Sequence, residues 1–135
     1  MAKRSGSFEG FGQASRQLAE MSKAASRGVG RKALQVPAEM LARDVRSRVP
    51  VLSGDTYESV DVKPAKQKGG VAVQVVAEDI ASVQLEFGNS DQQATPFFTP
   101  AIDEGFDQRN RAFADALMIE TEDAVIRRAA RAAKR

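Results

Sequence analysis

The 135-residue chain has no cysteine, no histidine and no tryptophan, and its single tyrosine is Tyr57. Without cysteine there is no disulfide, no thiolate zinc site and no sign of an oxidising compartment. Without histidine the chain lacks the commonest general base and the commonest metal ligand. No apolar run approaches the roughly 20 residues that a membrane span needs, and nothing behind Met1 reads as a signal-peptide core. Synthesis in the cytosol is the default expectation. A P-loop, a dinucleotide glycine fingerprint and any zinc-ligand spacing are also missing. Gly28-Val29-Gly30 follows a helical stretch rather than a strand, so it is not a phosphate cradle. The adjacent acids Glu78-Asp79 and Asp103-Glu104 fit exposed loop or helix-terminal charges better than an acid–base pair. The expectation is a protein that is not an enzyme, with no cofactor and no metal.

What is present is the material of one folded domain. A chain of this length buries roughly two-thirds of its unfolded surface. Its composition, 42% hydrophobic and 28% charged, is ordinary for a soluble fold. The formal net charge of +2 hides a division along the chain. Met1 to Val49 holds ten Lys/Arg against four Asp/Glu, a net +6. Pro50 to Glu104 holds three against nine, a net −6. Gly105 to Arg135 holds seven against five, yet Arg127, Arg128, Arg131, Lys134 and Arg135 close the chain with no acid among them. A basic first third and an acidic middle can attract copies of one chain head to tail, and the basic ends can equally face phosphate. Solvated helix faces account for any one cluster as well as either does.

Taken in order, residues 1–12 are rich in glycine, serine and charge and read as a flexible arm with Phe8 and Phe11 as anchors. Gln13 to Arg27 has helical composition, and Gly28-Val29-Gly30 is expected to break or bend it. Leu34, Ala38, Leu41, Val45 and Val49 then form one apolar stripe, with Pro37 marking a first turn or a kink and Pro50 ending the helix. A turn over Val49 to Gly54 leads to Asp55–Ser59, where regular structure resumes. Val60 and Val62 alternate with polar residues to Pro64, Gln67 to Gly70 reads as a hairpin connection, and Val71, Val73 and Val75 alternate in turn. Val83, Leu85 and Phe87 alternate with Gln84 and Glu86, which predicts a third strand ended by Gly88. From about Pro100 a long helix is expected, with Ile102, Phe106, Phe113, Leu117 and Ala124 on its inner face. The fold class is therefore α+β: N-terminal helices, a small antiparallel meander of three to four strands and a long C-terminal helix. The arm over 1–12, a single domain over 13–126 and a basic tail over 127–135 complete the organisation.

Pro96 and Pro100 bracket Phe97 and Phe98 on a stiff segment outside any ladder. Two adjacent rings there do not easily both enter one small core, so core packing and an outward interface both stay open for them. Nucleic-acid stacking is disfavoured, because no aromatic residue sits within the basic runs of the C-terminal end.

The order of these motifs resembles that of the HK97 gp10-like family of tailed-phage neck and tail-completion proteins. A helix ends in Val49-Pro50-Val51-Leu52-Ser53-Gly54, a short meander follows, then Leu85-Glu86-Phe87-Gly88-Asn89, then Thr95-Pro96-Phe97-Phe98-Thr99-Pro100-Ala101. The resemblance covers about Leu34 to Phe106. Ser53 stands where the family has threonine, and so does Asn89. The resemblance implies a virion structural protein in a ring, commonly six-fold, at the head–tail junction, contacting other neck and tail-tube proteins and no membrane. It implies an interface role for Glu86, Phe87, Gly88, Pro96, Phe97, Phe98 and Pro100. Arg127, Arg128, Arg131, Lys134 and Arg135 are candidates for contacts with phosphate or an acidic partner. The competing reading is a protein that touches DNA without regard to sequence through those cations.

Overall fold

The structure is a computed structural model that describes residues 11–50 and 54–134. Helix α1 (Phe11–Glu20) stops at a short break, and helix α2 (Lys23–Arg48) follows. Ser22 makes the break. Its backbone is extended and its hydroxyl accepts the Ala25 N–H at 3.2 Å, capping the new helix. Ser26 donates to the Leu18 carbonyl at 2.8 Å and so closes the end of α1. The interruption expected at Gly28-Val29-Gly30 is absent, and α2 runs through both glycines and through Pro37. Gly30 is a packing residue, since a Cβ there would lie 2.9 Å from Val71 Cγ2. Tertiary packing thus outweighs the local cost of glycine in a helix. Pro37 lies well inside the helix rather than in its first turn.

The end of α2 follows the expectation from Pro50. The Val49 N–H makes a closing bond to the Arg46 carbonyl, and the chain leaves the helix there. Val51 to Ser53, the centre of the expected turn, lies outside the described residues. A short helix α3 (Gly54–Ser59) leads into strand β1 (Val60–Ala65), which pairs antiparallel with β2 (Ala72–Ala77), Val62 opposite Val75. Gly69 takes a positive φ of 76° in the connection, a conformation that glycine reaches without a Cβ clash. Arg46 ties the hairpin to α2 by donating to the Val60 carbonyl at 2.6 Å.

The third strand does not form. Ile80–Phe87 is helix α4, and the sheet of the described residues has two strands. Only Ser82 and Leu85 of α4 are buried, three residues apart, as one side of a helix requires. The alternation of Val83, Leu85 and Phe87 is compatible with this: Leu85 faces in, and the other two face out.

The long last helix is also divided. Helix α5 (Phe98–Glu104) ends at Gly105, and α6 (Phe106–Ala133) continues beyond it. A Cβ on Gly105 would run into the Arg109 guanidinium and approach Asp44 Oδ2 to 3.1 Å. The expected inner face holds for Phe113, Leu117 and Ala124, but Ile102 and Phe106 are exposed. The basic end of the chain continues α6 as helix to Ala133. Residues 1–10 of the expected arm and Arg135 lie outside the described residues. Within 1–12, Phe11 and Gly12 already belong to α1.

Two apolar clusters hold these elements. One joins Ala42 and Val45 of α2 to Val60, Leu85, Phe97 and Ala101. The other joins Val29 and Ala33 of α2 to Ala116 and Leu117 of α6, with Leu18, Met21, Phe113 and Ala124 around them. Small residues at the second contact let the two helices lie close. They run antiparallel: Asp44 is beside Arg109 at one end, and Ser22 and Gly28 are beside Arg127 and Arg131 at the other.

Candidate functional site

The segment from Ile80 to Glu104 is organised around α5, a helix of only seven residues. So short a helix leaves most of its terminal N–H and C=O groups without partners inside it. Glu86, projecting from α4, takes the N-terminal donors. One carboxylate oxygen accepts the N–H groups of Phe97 and Phe98, each at 2.9 Å. The other accepts the Thr99 N–H at 2.9 Å and the Thr99 hydroxyl at 2.6 Å. Burial works against the charged form of Glu86. The hydroxyl of Thr99 and the three backbone donors outweigh it and hold the carboxyl at about 2.

Arg109 serves the opposite end. It is buried, and it donates to the Ala101 carbonyl at 2.9 Å and to the Ile102 carbonyl. An anion at the start of α5 and a cation at its end both complement the helix dipole. Glu104 adds an exposed pair with Arg48 of α2.

Gly88 makes the link between α4 and α5 possible. Its φ is +73°, and a Cβ there would lie 2.8 Å from the Ala94 nitrogen, a backbone atom with no freedom to yield. The loop therefore folds tightly back on α4, where the Thr95 N–H reaches the Leu85 carbonyl at 2.7 Å.

These contacts sort the expected interface residues. Glu86 and Gly88 are engaged within the chain. Phe97, at 1% exposure, is the largest fully buried side chain and belongs to the core. Phe98 packs half-buried beside it, with ring centres 6.1 Å apart. One segment does send both rings toward the same core, because entry into α5 turns them to neighbouring positions. Pro96 is exposed and Pro100 half-buried. The ring that faces outward is Phe87, at 76% exposure.

Phe87 is not alone. Ile80 is 81% exposed and Val83 62%, and the spacing of three and then four residues sets all three along one side of α4. The sequence reading missed Ile80 and Val83. The interval 80–83–87 is a helical one, and it was the signal available. Beside the stripe is an open groove of about 460 Å³, with Val75 and Val76 of β2, Ser82, Val83 and Phe98 in its walls. Ser82 is 5% exposed, and its hydroxyl has no hydrogen-bond partner among the described residues. The acids lining this groove are Glu86, committed to the start of α5, and Glu78, paired with Lys63 at 2.7 Å; Asp79, just before α4, accepts the Thr56 hydroxyl at 2.8 Å.

The candidate cations lie at the other end of the molecule. The antiparallel packing of α2 and α6 brings Arg127, Arg128 and Arg131 to Lys32 around an open groove of about 430 Å³. Met21, Val29 and Ala124 supply its apolar part. Among the described residues none of these four cations has an ion-pair or hydrogen-bond partner. Lys23, Arg27, Arg31 and Lys134 extend the same basic end, and Arg135 lies outside the described residues. Folding thus joins the basic first third to the basic end of the chain.

Comparison of the chain with protein-family models, curated proteins and solved structures finds no match. No helix among the described residues is long and apolar enough to cross a membrane.

Proposed function

We propose that this chain is a structural protein of a tailed-phage virion. It acts as a tail-completion or tail-terminator-like neck component, forming a ring at the junction of the DNA-filled head and the tail. The motif succession between Leu34 and Phe106 suggests the class. The observation that carries the reading is the outward apolar stripe of α4, on the helix that ends in the Leu85-Glu86-Phe87-Gly88-Asn89 motif. Three large apolar side chains held in solvent on one helix mark an association surface. The residues beneath the stripe are committed to packing and capping, so its outward direction is fixed by the fold.

A closed ring of identical subunits uses two different patches on each subunit. The acidic, apolar α4 face and the basic end meet that need. In this reading the protein is made in the host cytoplasm, incorporated into the virion, and contacts further neck and tail-tube proteins above and below. Its role is mechanical joining rather than catalysis.

The cations of the basic end, without ion-pair partners among the described residues, favour a second reading, contact with DNA without sequence preference. Quantitative mass spectrometry of purified particles, with imaging of a tagged chain, tests the first. A copy number of about six, matching a six-fold tail, and a position at the head–tail junction are expected. Absence of the chain from purified particles would contradict the proposal.

A further inference from the structure

The two outward features of this molecule belong to segments of opposite charge, each with apolar side chains at its centre. Phe87 stands at the C-terminal end of α4 as an exposed ring, on a segment from Glu78 to Asp91 that holds four acids and no Lys/Arg. The groove at the far end has an apolar floor of Met21, Val29 and Ala124 under a rim of Lys32, Arg127, Arg128 and Arg131. Residues 28 and 45 of α2 mark the two ends, roughly 25 Å apart at the helical rise. One subunit therefore cannot close the contact on itself.

We propose that Phe87 of one copy inserts into the groove between the start of α2 and the end of α6 of the next copy. The occupant of the groove is thus a second copy of this chain. The contact rests on the assembly reading given above and specifies its interface. It answers two observations at once. It removes the stripe of Ile80, Val83 and Phe87 from water. It sets the rim cations against the acidic segment from Glu78 to Asp91, which carries four acids and no Lys/Arg, although Glu78 already pairs with Lys63 and Asp79 accepts the Thr56 hydroxyl. An aromatic side chain in a desolvated pocket, ringed by charge pairs, is the usual anatomy of a dominant contact. The contact is head to tail, since the two patches differ.

A mixing experiment on the full chain tests it. Phe87→Ser removes the inserting ring, and the double variant Arg127→Glu/Arg128→Glu reverses part of the rim. Both sites are exposed, so neither change touches the core, and circular dichroism melts confirm that each variant is folded. Sedimentation velocity of each alone is expected to show self-association weakened roughly thirtyfold or more, the scale of a hot-spot contact. An equimolar mixture regains one interface, because each variant keeps one intact patch, and it should stop at a 1:1 pair. Self-association of either variant equal to that of the parent overturns the proposal. So does a mixture no better associated than its components, or a parent that stays monomeric throughout. A 30-base-pair duplex is run alongside. Loss of duplex binding by the rim variant with self-association unchanged gives the groove to nucleic acid instead. If this contact fails while the chain is still found in multiple copies at the head–tail junction, the interface alone is wrong. Absence from particles removes the assembly reading with it.

Discussion

The two ends of the molecule are held by different physics. At the α4–α5 end, a helix of seven residues is fixed at both termini by charged side chains, and a glycine with positive φ folds the loop between. At the basic end, two long helices meet through alanine, valine and leucine, and Lys32, Arg127, Arg128 and Arg131 at the edge have no ion-pair partner among the described residues. The first end depends on a few residues whose loss is felt at once. The second spreads its stability over many small contacts and leaves its charges available. A segment packed by such specific means can afford an apolar face in solvent, because that face takes no part in holding the fold.

The contrast is sharpest between the phenylalanines. Phe97→Ala empties a fully buried site and should cost about 3–5 kcal/mol in denaturant unfolding. Phe87→Ala should change stability by no more than about 0.5 kcal/mol, as for other exposed sites. Equal losses at the two positions would mean that α4 packs differently.

The acidic and basic caps of α5 come next. Glu86→Ala leaves three backbone donors and the Thr99 hydroxyl without their carboxylate, and the expected loss is about 2–3 kcal/mol. Glu86→Gln should lose less. It should also flatten the acid limb of the stability profile. The folded carboxyl lies at about 2 against an ordinary 4.5. Its stabilisation is thus complete above the unfolded value and is lost as pH falls from about 4.5 toward 2. A parent whose stability does not fall over that window would contradict the cap. Arg109→Met, which removes the donors at the other end, should cost about 2 kcal/mol, while Arg128→Met at the basic end should leave the melt unchanged.

The smallest effects come from the two glycines of α2. Gly28 has open space at its Cβ position, so Gly28→Ala should stabilise by about 0.5–1 kcal/mol. Gly30→Ala meets Val71 at 2.9 Å and should forfeit that gain or reverse it. The same substitution two residues apart thus separates helix propensity from packing.

Much of this was legible in the residues. Pro50 ended α2, the valine alternation and Gly69-Gly70 marked the hairpin, and Gly88 terminated its element, although that element was a helix. What escaped was tertiary in origin. Eight residues from Ile80 to Phe87 are too few for a period of two to be told from one of 3.6 when only Leu85 among the alternating set is inward. Nothing local showed that Gly30 would lie under Val71 or that Arg109 would reach back to α5. The break before α2 did have a local signal, Ser22 three residues ahead of Ala25, and the glycines nearby drew attention from it. At the candidate surface, Phe87 and the terminal arginines were readable; the helical interval of Ile80 and Val83 with Phe87 was masked by the alternation of Val83, Leu85 and Phe87, and Lys32 became visible only when the helices were in place.

The central claim is that Phe97 serves the fold while Phe87 serves association. Sedimentation velocity paired with a thermal melt on Phe87→Ser tests it most directly. The account predicts the parent's oligomer reduced to monomer, with a melting temperature equal to that of the parent at a dilution where it too is monomeric. An oligomer of the parent's size, or a melting temperature lowered as far as that of Phe97→Ala, would contradict it.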